Sequence, residues 1–272
     1  MRLKLALILL AVLPARAETR LALREGESLT YRVSWAVLPG AGEIKIFAAA
    51  DQTGPSPRLR VTTTTRTRGF ARLLMQFDAR ADSYFDPTSG RLLALSESSE
   101  QRNKKPEHSV TFDYAAAQAI YTVPNQTDRP LILPLPAGDP MDLITQLVQT
   151  RSWDLKPGEK RDALVLFNTD FYELTIHASR YEEVRTSLGT FNTLVLEPRM
   201  DKTPPKGMFK RGSSVRVWIS QDGNHLPVKF EVEFKIGTGT ATLESHGVPA
   251  PAGSANAAGA KPPGSDEKNS RP

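Results

Sequence analysis

The chain is 272 residues long, carries 35 Lys and Arg against 30 Asp and Glu for a formal net charge of +5, and contains no cysteine. The missing thiol excludes disulfides, thiolate zinc sites, iron–sulfur clusters, cysteine nucleophiles and an acylated lipoprotein N-terminus. Chemistry is left to four histidines, to carboxylates and hydroxyls, and to shape.

Met1-Arg2-Leu3-Lys4 is basic, Leu5 to Leu13 is an apolar run of signal-peptide length, and Ala15-Arg16-Ala17 supplies small residues at a cleavage point. The sequence therefore predicts export, cleavage before Glu18 and a periplasmic location. Losing residues 1–17 removes Arg2, Lys4 and Arg16 and lowers the net charge from +5 to +2. Much of the basicity is thus targeting, which argues against a nucleic-acid partner. No later stretch approaches the roughly 20 apolar residues of a transmembrane helix.

From Glu18 the dominant period is two. Leu29, Tyr31, Val33, Trp35 and Val37 alternate with Ser28, Thr30, Arg32, Ser34 and Ala36, the pattern of a strand with one buried and one wet face. Shorter strand candidates follow near 42–50, 58–68, 76–85, 91–100, 107–114, 118–123, 161–168, 171–185, 190–199, 213–220 and 238–245, with a second long one at Leu226 to Ile236. Pro39-Gly40-Ala41-Gly42, Asp86 to Gly90, Ser187-Leu188-Gly189, Asp222-Gly223-Asn224 and Gly237-Thr238-Gly239 read as turns. One segment reads as a helix: Asp139 as N-cap, Pro140 at its first position, and Met141, Ile144, Leu147 and Val148 on one face. From Val248 to Pro272 a Pro, Ala, Gly and Ser tract shows no apolar periodicity and reads as a disordered tail.

These elements predict one mainly β domain over residues 18–247. An antiparallel sheet of about a dozen strands curls, splits or closes. The expected architecture is a strongly curved half-barrel or barrel with one helix on its concave side, and a two-sheet sandwich is the alternative.

Motifs for catalysis are absent. His108, His177, His225 and His246 lie on separate elements without zinc-ligand spacing, and neither G-x-S-x-G nor S-x-x-K occurs. No catalytic residue, metal site or cofactor is assigned. Two kinds of surface remain. Arg58, Arg60, Arg66 and Arg68 fall on one parity of a strand, and Lys206, Lys210 and Arg211 cluster in a loop with Met208 and Phe209. Such basic surfaces suit an envelope protein, anionic lipid or wall polymer as partner. The greasy connection Leu131-Ile132-Leu133-Pro134-Leu135-Pro136 covers the open end of the sheet as core or walls a hydrophobic cavity.

Gly26-Glu27-Ser28-Leu29-Thr30-Tyr31-Arg32-Val33-Ser34-Trp35 resembles the opening of the bacterial envelope family known as domain of unknown function 3108. Asp142-Leu143, Arg151, Gly158-Glu159, Gly189-Thr190-Phe191, Val217 to Asp222 and Pro227-Val228 extend the resemblance over roughly residues 24–245. It implies a secreted, β-rich periplasmic protein, similar in outline to carriers that shield the acyl chains of lipoproteins. The resulting expectation is a non-enzymatic carrier of a lipid or other hydrophobic envelope component. Trp35, Leu131, Leu133, Leu135, Ile144 and Trp218 are the candidate ligand-binding residues. A docking protein using the basic surface and an unrecognised hydrolase are the alternatives.

Overall fold

The structure, a computed structural model, describes residues 21–102, 104–124, 126, 128–210, 213–234 and 237–248. The expected leader at 1–17 lies outside them, as does the expected tail apart from Val248. In chain order the strands are β1 (Ser28–Trp35), β2 (Leu38–Asp51), β3 (Arg58–Thr67), β4 (Phe77–Phe85), β5 (Leu92–Gln101), β6 (Glu107–Asp113), β7 (Gln118–Thr122), β8 (Leu131–Pro134), β9 (Met141–Asp142), β10 (Lys160–Phe167), β11 (Asp170–Thr186), β12 (Gly189–Arg199), β13 (Ser214–Ser220), β14 (Pro227–Phe234) and β15 (Gly237–Gly247). Among the described residues two α-helices interrupt them, α1 (Gly69–Leu74) and α2 (Leu143–Gln149), besides single 3-10 turns at Thr150–Ser152 and Gly207–Phe209.

β1 pairs with β2 on one side and β15 on the other, so two antiparallel meanders run in opposite directions from one seam. One ends at β8 and the other reaches β10, where the two-residue β9 adds in parallel. The result is one large curved sheet that does not close, the half-barrel form of the expected architecture. The 15 strands belong to a single sheet, which disposes of the sandwich.

Every strand expected from alternation is present, and the departures occur where alternation carries no signal, except at Val37, which alternation sets on the buried face of the first strand and which is 90% exposed in the turn that ends it. The first hairpin turns at Ala36-Val37, with Ala36 at φ 49°, so Pro39 to Gly42 lies inside β2 instead of making the turn. Gly237-Thr238-Gly239 begins β15, and Lys235-Ile236 lies outside the described residues. Leu131 to Pro134 is an edge strand paired with β7, not a free connection. The helix starts three residues later than expected. Asp142 is its N-cap and accepts from Thr145 N–H at 2.9 Å, whereas Asp139 is held by Arg91 at 2.8 Å. Pro140 precedes the parallel strand, and α1 is a second helix.

Inward side chains make the core. Leu29, Tyr31, Ile46, Val61 and Phe85 meet Leu174, Ile176, Leu196, Val217, Phe230 and Leu243 around Leu147 and Val148 of α2. The helix thus packs in the hollow of the sheet. Its cap Asp142 also accepts from the Ser83 hydroxyl of β4 at 2.7 Å, which ties the helix to the first meander. Burial pushes the Asp142 carboxyl above its usual range, although the bonds from Thr145 and Ser83 pull it down. A smaller cluster joins Leu95, Val110, Ala119 and Leu133 to Leu166 of β10, so the two ends of the sheet meet through side chains.

A buried ionic knot closes the opposite seam. Glu27 accepts from Arg151 at 2.6 Å, from His246 at 2.9 Å and from Arg24 N–H at 3.1 Å. It thereby links the segment before β1, the turn after α2 and the end of β15. Burial alone would raise the Glu27 carboxyl, but Arg151, the Arg24 N–H and His246 together outweigh it and hold the group below its ordinary value of 4.5. That contribution to stability is complete above pH 4.5 and shrinks as the pH falls from there through the folded-state value. We expect Arg151→Met to cost about 3 kcal/mol in urea unfolding at neutral pH, because it strands a buried carboxylate. Adding Glu27→Gln should recover part of that loss, and the stability gap between Glu27→Gln and the parent should narrow below pH 4.5. Additive losses, or a gap independent of pH, would contradict the assigned knot.

Candidate functional site

The inner face is not filled evenly. On β3 the inward residues beyond Val61 are Thr63, Thr65 and Thr67, and their register partners are Ile46, Ile44 and Gly42 on β2 and Ala81 and Ala79 on β4. Next along, Glu97 and Ser99 of β5 face Ala81 and Ala79. These small side chains floor a trough.

Two adjoining cavities occupy it. One, of about 430 Å³, is lined by Val33, Trp35, Leu38, Leu74, Met75 and Phe77 among others, with Thr65 and Gly42 beneath. The other, of about 320 Å³, shares Thr65 and Phe77 with the first and runs over Ala79 and Ala81 to Ile144 and Phe167. Its polar end holds Glu97 and His108, 3.0 Å apart, with His108 stacked on Tyr121 at 4.8 Å. The apolar end is covered by α1. Gly69 at φ 52° turns the chain out of β3, and Arg72 fastens the helix by two bonds to Asp78 at 2.8 and 3.0 Å.

The structure places Trp35 at one end of this trough and Ile144 at the other. Trp35 lies across Gly239, its cross-strand partner on β15, so a side chain at Gly239 would meet the indole. Leu133 is buried in the smaller cluster, Leu131 is half exposed on the edge strand, and Leu135 follows β8, half-buried. Trp218 is buried on the opposite face of β13 from Val217. Its register partners are Val195 and Lys229, and Lys229 Nζ sits 4.0 Å from the centre of its ring.

The basic residues carry acidic partners. Arg58 bonds Asp51 at 2.5 Å and stacks over Tyr84, Arg66 and Arg68 converge on Glu43 at 3.2 and 2.7 Å, and Arg60 stands near Asp82. Arg68 lies past the end of β3. In the later loop Lys206 bonds Asp170 at 2.6 Å, Lys210 is exposed, and Phe209 packs inward, 6.1 Å from Tyr172 between ring centres. Arg211 lies outside the described residues, as does the side chain of Met208.

Other hollows differ in character. One of about 230 Å³ mixes Asp139, Gln146, Trp153, Arg161 and Lys202. Another, of about 460 Å³ under the 200–213 loop, is lined by Glu197, Arg199 and Arg216, and Arg199 already bonds Glu197 at 2.5 Å. His177 pairs with Asp201, and His225 sits in the turn before β14. Among the described residues no group of three His, Asp or Glu side chains is placed to hold a metal.

Sequence reasoning missed the floor of the trough. Its signal is the run Val61-Thr62-Thr63-Thr64-Thr65 followed by Ala79 and Ala81, where an inward face carries too little volume to fill a barrel.

Comparison with known proteins bears on this architecture. A family model described as protein of unknown function (DUF3108) matches residues 30–244. No curated protein matches the chain. The fold is similar to a crystal structure of a β-barrel-like protein of domain of unknown function DUF1849 from Brucella abortus, at 7% identity and a TM-score of 0.52, over 81% of this chain and 96% of that one.

Gly42 gives the floor a direct test. A Cβ there would lie 2.8 Å from the carbonyl oxygen of Arg66, a backbone atom that cannot step aside. We expect Gly42→Ala to destabilise the protein by about 1–3 kcal/mol, despite alanine's lower conformational entropy cost in a strand. A neutral or stabilising result in thermal unfolding would mean that the floor is looser than this packing implies.

Proposed function

The chain belongs to the DUF3108 family of proteins of unknown function, and from that premise we propose that it is an exported, non-enzymatic carrier that holds an acyl chain of an envelope lipid in the trough between Trp35 and Ile144. The observation that carries the reading is the apolar cavity of about 430 Å³ beneath α1 and its continuation of about 320 Å³ along the same strands. Binding sites for small molecules fall in the range of about 300–1,000 Å³. Val33, Leu38, Leu74, Met75 and Phe77, with the ring of Trp35, offer the chain dispersion contacts along an almost wholly apolar wall.

The energetics fit reversible carriage. Burying about ten methylenes is worth about 8 kcal/mol, an upper limit equivalent to micromolar affinity. The cost of immobilising a flexible chain reduces that figure. A carrier that must release its cargo works in this range. The polar end at Glu97 and His108 limits how far an alkyl chain can advance, because desolvating a carboxylate against methylenes is costly.

The test is native mass spectrometry of the chain from Glu18 onward, purified without detergent, with solvent extraction of any adduct and titration with a dansylated fatty acid. A lipid adduct and saturable binding are expected. Ala79→Phe, which fills the middle of the trough, should weaken that binding about tenfold or more while leaving thermal stability equal or higher. A clean unliganded mass together with no titratable binding, or undiminished binding in Ala79→Phe, overturns the reading.

A further inference from the structure

The helix that covers the cavity buries none of its own residues. Phe70 is 62% exposed, Leu73 83%, Leu74 58% and Met75 47%, and at the neighbouring hairpin tip Val37 is 90% exposed. These residues belong to one end of the molecule. Arg68 N–H donates to the Ala41 carbonyl of β2 at 2.8 Å, and Leu38 lines the same cavity as Leu74 and Met75. Large apolar side chains gathered on a surface mark an interaction face, whereas scattered ones do not.

Charge says what that face meets. Glu43 is buried and gathers Lys45, Arg66 and Arg68, whose side chains are each about half exposed. Three cations over one sunken carboxylate present positive charge outward beside the apolar helix. Basic residues flanking exposed Phe and Leu are the composition of an element that lies in a membrane interface. The C-terminal residues 249–272 contain no Leu, Ile, Val, Met or aromatic residue, so that segment offers no large apolar side chain to cover the patch.

We propose that the α1 end docks on an anionic lipid bilayer, with Phe70, Leu73 and Leu74 entering the interface and Lys45, Arg66 and Arg68 meeting headgroup phosphates. The mouth of the cavity then opens against the membrane, and an acyl chain passes between bilayer and trough without crossing water. The transfer step rests on the carrier reading, whereas the docking does not.

The experiment is co-sedimentation of the chain from Glu18 onward with vesicles of phosphatidylcholine alone and of an equimolar mixture with phosphatidylglycerol. Binding to the mixed vesicles is expected, weakened by salt and by Arg68→Glu, and lowered about tenfold or more by Leu73→Glu. Neither Arg68 nor Leu73 lines the cavity, so both variants should keep the parent's fatty-acid titration. Leu73→Glu should also keep its thermal unfolding, whereas Arg68→Glu sets a second carboxylate beside buried Glu43 and should lower the unfolding temperature. Absence of vesicle binding, or binding unchanged in Leu73→Glu, overturns the proposal. A concentration-dependent dimer that Leu73→Glu dissolves, without vesicle binding, overturns it in favour of a second copy as occupant. Vesicle binding without fatty-acid binding removes the carrier reading and leaves the docking in place.

Discussion

The volume of the side chains on the inner face of the sheet governs the rest of the molecule. Along β10 to β15 and on β1 those side chains are Leu, Ile, Val, Phe and Tyr, and with Leu147 and Val148 of α2 they pack into a continuous core. Along β3 to β5, past Val61, Phe85 and Leu95, they shrink to Thr, Ala and Ser, and the same curvature leaves a space in place of a core. Core and cavity thus occupy different stretches of one sheet. Large groups on one side secure the fold at native packing density. Small groups on the other leave the two cavities open.

Two polar junctions keep these halves in register. Asp142 caps α2 and reaches across to Ser83, which fixes the helix between the core and the trough. Glu27 gathers Arg151 and His246, so the segment before β1, the end of the helical turn and the last strand are held at one point. Both are buried, and each joins parts of the chain far apart in sequence. An apolar contact could hold the same parts together but would tolerate sliding. A buried carboxylate with directed donors does not, because any displacement leaves it unpaired in a medium of low polarity.

The strands were legible because a sheet with one dry face writes its register into alternate residues, as Leu29 to Trp35 does on β1 and Leu226 to Phe230 does where β14 begins. The elements that escaped lack that period. α1 has no buried face and therefore no amphipathic stripe, and β9 is only two residues long. Leu131 to Pro134 is uniformly apolar, so it carries a composition without a direction. For the helix cap, Asp139 and Asp142 are both acceptable in sequence, and the choice is made by Ser83 of β4 and Arg91, which local spacing cannot see. Trp218 shows the same limit for the candidate site. Alternation sets it opposite Val217, but both residues are buried, so parity alone does not say which of them faces the hollow. The trough itself is made of missing volume, and a motif search looks for groups that are present.

An open sheet must also dispose of its edges, since unpaired backbone groups invite another strand. Here β8 is four residues long, follows Pro130 and ends on Pro134, while β9 stops after two residues because the chain turns into α2 at the Asp142 cap. The two outermost strands are therefore too short, and on one side too proline-rich, to template an extended partner, although β9 covers only Val165 and Leu166 of β10. The sheet ends are joined instead by Leu133 and its neighbours against Leu166, a contact between side chains with no ladder of hydrogen bonds behind it. Such a closure is non-directional, so the sheet ends can shift slightly against each other without breaking a ladder hydrogen bond. A fully bonded barrel could widen for a guest only by losing ladder pairs, and the open form avoids that cost.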